Sequence, residues 1–129
     1  MEIDSRGENF SEAEISKFFR IRKTVLKMLE DRGYFVSQEQ KEKSFDDWKV
    51  DFKKDQLCFL TSKINNVEDY IYVEFNFDKK IGVEEILSFV KKIHNQNVRK
   101  GIIIIRGSIS TLAKQVSSIE FIFLSIISI

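Results

Sequence analysis

Proline is absent from this chain of 129 residues. No cis-proline turn and no proline kink can therefore shape a site. Cysteine occurs once, at Cys58, and histidine once, at His94. A lone cysteine forbids an internal disulfide and fits a reducing compartment. A zinc centre draws three or four ligands mostly from Cys and His, and these two residues have no companions. Glycine is limited to five residues. Neither the Gly-x-x-x-x-Gly-Lys-Ser/Thr pattern nor Gly-x-Gly-x-x-Gly occurs, which removes the usual phosphate-cradling loops. No run reaches the roughly 18–20 apolar residues of a membrane-spanning helix. The opening MEIDSRGENF lacks the apolar core of a secretory signal.

Hydrophobic content of 43% and charged content of 32% are ordinary for a globular chain. The length fits one domain. We expect a loose tail over residues 1–10 and a single α/β domain over 11–129, with an atypical end over 119–129.

The net charge is +1 and says little, but the distribution says more. Residues 28–90 hold nine Lys/Arg against fourteen Asp/Glu, whereas residues 91–129 hold six against one. No acid lies between Lys91 and Ile119, a stretch that includes Lys92, Arg99, Lys100, Arg106 and Lys114. Such a local excess attracts polyanions even in a neutral chain. The plainer alternative is a solvated cationic edge that pairs with the acidic middle.

Ser11 and Glu14 have the spacing of a capping box, which starts a helix. Ile15, Phe18, Phe19, Arg22, Val25, Met28 and Leu29 share a face, with Arg22 breaking the apolar stripe. Gly33 is a fitting residue to end it. Ser37 and Ser44 are N-caps for a second, broken helical region, in which Phe45, Trp48 and Phe52 read as core. Gln56–Lys63 and Tyr70–Phe77 read as strands joined by a polar connector, Ile64–Asp69. Val83–Asn97 reads as a helix with Ile86, Leu87, Val90 and Ile93 inward. Gly101–Ile105 is an all-apolar strand, as in a parallel sheet covered on both faces. A helix starts near Ser110, and Ile119–Ile129 could supply a last strand. The order predicts an α/β fold, a small mixed sheet flanked by helices, with Tyr70–Ile105 as a crossover unit.

Chemistry is sparse. Cys58 sits among Leu57, Phe59 and Leu60 and is expected to be buried and inert. Metal-dependent nucleases of the PD-(D/E)xK type place one Asp, then an acid-x-Lys, on adjacent strands to hold Mg²⁺ and support the attacking water. Here Glu74-Phe75-Asn76 has asparagine at the lysine position, and Asp55 is the candidate first carboxylate. The set is incomplete. No catalytic residue, metal, cofactor or small-molecule ligand is expected.

Arg22-Lys23-Thr24, Asp31-Arg32-Gly33-Tyr34 and Val36-Ser37-Gln38-Glu39 follow one another in an order that resembles a known family. Phe45-Asp46-Asp47-Trp48-Lys49, Ile81-Gly82-Val83, Gly101–Ile105 and Ala113-Lys114-Gln115 extend the likeness over about residues 18–115. The family is the shared fifth subunit of the eukaryotic nuclear RNA polymerases I, II and III. The resemblance is to its N-terminal jaw domain. It implies a restriction-endonuclease-like sheet without nuclease activity, a nuclear location and contact with the largest polymerase subunit. It also implies contact with downstream duplex DNA and with transcription factors. The family's C-terminal assembly domain has no counterpart in this chain, and IEFIFLSIISI matches the family poorly. On this reading Arg99, Lys100, Arg106, Ser108, Ser110, Thr111 and Lys114 are the candidate phosphate contacts, which set position without reading bases. Ser110 also reads as a plain helix cap, and the backbone N–H groups behind it would form an anion site. Thr111 stands where the family often has proline. A protein-interaction module without DNA contact is one alternative, and a PD-(D/E)xK-like nuclease is another.

Overall fold

The computed structural model describes residues 2–3, 9–53, 57–76, 82–105 and 123–128. They form two compact units, residues 1–57 with 63–65 and residues 58–62 with 66–129.

In the first unit, β1 (Glu2–Ile3) pairs antiparallel with β2 (Asn9–Phe10). Helix α1 (Glu12–Asp31) starts at the expected capping box: the Glu14 N–H donates to Ser11 Oγ at 3.1 Å, and the Ser11 N–H donates to the Glu14 carboxylate. Its buried stripe is Ile15, Phe18, Arg22, Val25, Leu26 and Leu29. Leu26 joins the expected set, while Phe19 and Met28 are only half-buried. The helix stops because Gly33 takes φ +89°, a left-handed conformation that glycine adopts without a Cβ clash. The Gly33 and Tyr34 N–H groups then donate to the Glu30 and Leu29 carbonyls, a Schellman closure.

Helices α2 (Gln38–Glu42) and α3 (Phe45–Lys53) begin at Ser37 and Ser44, both of which cap as expected. Trp48 and Phe52 are buried. Phe10, at the end of the segment expected to be a tail, is fully buried. Its ring lies 5.8 Å from Phe18 and 5.1 Å from Phe52 in edge-on contacts, and such aromatic pairs add to plain area burial.

The second unit is built on a sheet of order β3-β4-β5-β6. The strands are β3 (Cys58–Lys63), β4 (Asn66–Asn76), β5 (Lys100–Ile105) and β6 (Phe123–Ser128). Two residues, Ile64 and Asn65, link β3 to β4, a connection that only antiparallel neighbours allow. The expected six-residue connector is thus mostly strand: β4 starts at Asn66, and the solvated Val67 and Glu68 belong to it.

β5 runs parallel to β4, with Tyr72 opposite Gly101, and parallel to β6. The sheet is therefore mixed, and the last apolar segment does supply a strand. Residues Gly101–Ile105 are all buried, as their unbroken apolar run predicts. Helix α4 (Val83–Asn95) is the crossover between β4 and β5. It packs Ile86, Phe89, Val90 and Ile93 against Tyr72, Ile103 and Ile105. Leu87, expected inward, is 44% exposed, and Phe89 is buried in the apolar stripe.

Candidate nucleic-acid interface

Arg106, Ser108, Ser110, Thr111 and Lys114 lie outside the described residues, so the structure bears on two of the seven candidates. α4 ends at Asn95, and Asn97 takes φ 59° behind it. The Asn97 and Val98 N–H groups donate to the His94 and Ile93 carbonyls, each at 3.0 Å. This second Schellman closure turns the chain abruptly into β5. Arg99 is left exposed just before the strand, and Lys100 is its half-buried first residue.

Arg99 and Lys100 border an open hollow of about 460 Å³, together with Asn66, Asp69, Tyr70 and Asn97. Tyr70 is 42% exposed there. The two cations are not equivalent. Lys100 Nζ sits 2.9 Å from Asp69 Oδ1 and 3.0 Å from Oδ2. Its charge is largely compensated within the protein, whereas the Arg99 side chain faces solvent.

The same holds further along β4. Lys92 of α4 reaches Glu74 Oε1 at 2.8 Å, so two cations of the basic stretch are paired with acids of one strand. Asp69 was not singled out in the sequence, and Glu74 was read only as a nuclease-like carboxylate, not as a partner of Lys92. The available signal was the parallel register. Ile71 is the residue preceding Tyr72, so Lys100 falls beside it when Gly101 pairs with Tyr72. Asp69 is then a same-face diagonal neighbour within reach of a lysine. That register is not legible before the strands are paired.

The nuclease-like positions carry no assembled centre. Asp55 lies outside the described residues. Glu74 is engaged by Lys92 and also accepts a hydrogen bond from the Tyr72 hydroxyl at 3.4 Å. Burial first, then hydrogen bonding to Cys58 and the Glu74 charge, push the Tyr72 phenol far above its ordinary 10.0. Among the described residues no group of three His, Cys, Asp or Glu side chains could hold a metal ion. His94 is exposed on α4. Cys58, expected to be buried, is exposed instead. The apolar neighbours that prompted that expectation alternate across the strand, and Cys58 and Leu60 share its outward face.

The sequence model described as the N-terminal domain of RNA polymerase Rpb5 matches residues 12–93. A Caenorhabditis elegans protein named DNA-directed RNA polymerases I, II, and III subunit RPABC1 is 31% identical over 113 residues, covering 81% of this chain and 54% of its own. The Dictyostelium discoideum protein of the same name is 32% identical over 105 residues, covering 79% and 50%. An Arabidopsis thaliana protein named DNA-directed RNA polymerase subunit 5-like protein 1 is 30% identical, covering 81% and 54%. The chain spans about half the length of the curated relatives it matches.

Proposed function

The chain belongs to the family of the RNA polymerase Rpb5 N-terminal domain, and from that premise we propose that it serves as a non-catalytic subunit domain of a nuclear DNA-directed RNA polymerase. Its partners are other polymerase subunits, the largest among them, and transcription factors. It flanks downstream duplex DNA and touches it through phosphates. The proposal includes a restriction-endonuclease-like reading of the sheet in which the chemistry is lost, since asparagine stands at Asn76 where a nuclease needs lysine.

The observation that carries the proposal is the family match over residues 12–93. The exposed Arg99 beside the β5 corner supports the DNA part. Arg106, Ser108, Ser110, Thr111 and Lys114 complete the proposed contact. A few phosphate contacts give weak, salt-sensitive affinity, with log K falling about 0.9 per log unit of salt for each phosphate neutralised. Weak, sequence-indifferent contact suits DNA that must slide.

A second reading, a protein-contacting module without DNA contact, is favoured by the pairing of Lys92 and Lys100 with Glu74 and Asp69. Two measurements separate the readings. An affinity-tagged chain expressed in eukaryotic cells is expected to co-purify with the largest polymerase subunit, and its failure to do so while folded removes the assembly role. Duplex binding by the purified chain at low salt, lost in the Arg106→Glu, Lys114→Glu variant, supports DNA contact. Equal binding by the variant removes that corner as the contact.

A further inference from the structure

Helix α1 carries a second basic surface, far in sequence from the β5 corner. Residues 1–27 hold six cations and five acids, close to balance. The fold separates the signs. Glu14 is spent on the capping box with Ser11, and Glu12 reaches Lys49 at 3.4 Å. Between Glu14 and Glu30 the helix has no acid. Lys17, Arg20, Lys23 and Lys27 fall in that interval, and all four are exposed. Their steps of three, three and four residues keep them on one helical face, spread over about 15 Å. Among the described residues, no carboxylate forms an ion pair with any of the four.

One end of this row has a different character. Lys23, Leu26, Lys27, Glu30 and Lys41 line a hollow of about 250 Å³. Lys41 is paired with Glu30, and the Lys23 ammonium rests 4.9 Å from the centre of the Phe19 ring. Long lysine stems laid over apolar surface keep such a hollow greasy within and charged at its edge. Its size suits one apolar side chain and is small for a cofactor. Duplex DNA would meet the row of cations and leave the hollow empty. An acidic protein segment with one apolar side chain would use both.

We infer that the exposed face of α1 docks an acidic, amphipathic protein segment. Its carboxylates lie along Lys17, Arg20, Lys23 and Lys27, and an apolar side chain seats beside Leu26. This deepens the reading of the chain as a contact surface in a larger assembly, and rests on that reading for the class of partner. Charge complementarity sets the orientation and the salt dependence of such a contact.

The probe is a labelled synthetic peptide of glutamates and aspartates with one central phenylalanine, followed by fluorescence anisotropy against the full chain. Lys23→Glu with Lys27→Glu is expected to weaken binding by about tenfold or more, the usual reach of reversed interface charges, with an unchanged circular dichroism spectrum. Replacing the peptide's phenylalanine by alanine is expected to weaken it several-fold. If the double variant misfolds, Lys17→Ala with Arg20→Ala, both at exposed positions, carries the test. Equal binding by a folded variant overturns the inference, and so does indifference to the phenylalanine. Duplex DNA that displaces the peptide and loses affinity in the same variants would reassign the face to nucleic acid. Arg99→Glu should leave peptide binding unchanged while lowering DNA binding, so failure of either reading is seen without the other.

Discussion

Arg22 is the one charged side chain that the fold buries among the described residues, at 6% exposure. It was legible in the sequence as the break in an apolar stripe. Its partners were not, because they come from elsewhere in the chain. The guanidinium donates to the Gln40 carbonyl at 3.2 Å, eighteen residues away. Burial pulls its pKa down and the Asp51 charge pulls it back up. Arg22→Ala removes the hydrogen bond, the packed stem and the counter-charge together, and should cost about 2–3 kcal/mol in urea unfolding. Arg22→Met, which keeps the stem, should cost less; an equal loss would mean that the charge alone matters. Tyr72 sets a pH dependence of known sign. Its phenol is raised above 10.0 by burial and by its bonds to Cys58 and Glu74. Below pH 10 both folded and unfolded chains hold the proton, so the contribution is fully present. Above pH 10 the unfolded chain loses it first, and stability should fall by up to about 1.4 kcal/mol per pH unit until the folded phenol also ionises. Denaturant titrations of the native chain and of Tyr72→Phe should show the alkaline slope in the former and a shallower one in the latter.

At the scale of elements, helix starts were readable because a cap is a local transaction between residues three apart. Ser11 with Glu14 and Ser37 with Gln40 both form reciprocal boxes. The inward face of α4 was harder to read. Ile86, Leu87, Val90 and Ile93 looked like one stripe, yet the helix turns Leu87 outward and Phe89 inward. What permits this sits on another strand: a Cβ at Gly101 would meet the Phe89 ring at 2.9 Å and collide with Ile93 Cδ1. Helix and strand can approach this closely only because position 101 has no side chain. Gly101→Ala should therefore cost about 1–3 kcal/mol by overpacking. A cost below the error of a chemical denaturation curve would show that the helix can shift aside. The end of α4 tolerates glycine but not a branched side chain. Asn97 already occupies the left-handed region at φ 59°, where glycine carries no Cβ penalty. Asn97→Gly should leave stability within about 1 kcal/mol of the native chain, whereas Asn97→Val should lose more than that because a branched Cβ is strained there.

For the molecule as a whole, the sequence displayed the charge excess near the β5 corner and allowed its pairing with the acidic middle, but not which cation meets which acid. Composition counts charges along the chain, while affinity for a polyanion depends on which of them face solvent without a partner. β4 brings Asp69 to Lys100 and Glu74 to Lys92, and this happens only through strand pairing and the α4 crossover. The proposed DNA contact therefore depends on removing an acid as much as on supplying bases. Asp69→Asn should delete a carboxylate that repels phosphate beside Lys100, so duplex affinity should rise several-fold at low salt. The slope of log K against log salt should steepen by about 0.9 if one more phosphate is neutralised. Lys100→Ala should lower affinity, because it leaves the Asp69 carboxylate uncompensated where phosphate would approach. Arg99→Ala should lower it clearly, since that guanidinium is exposed. Filter binding of a short duplex across a salt series measures all three. Should Asp69→Asn leave both affinity and slope unchanged, Lys100 takes no part in the DNA contact, and the contact must be sought among the basic residues that follow β5.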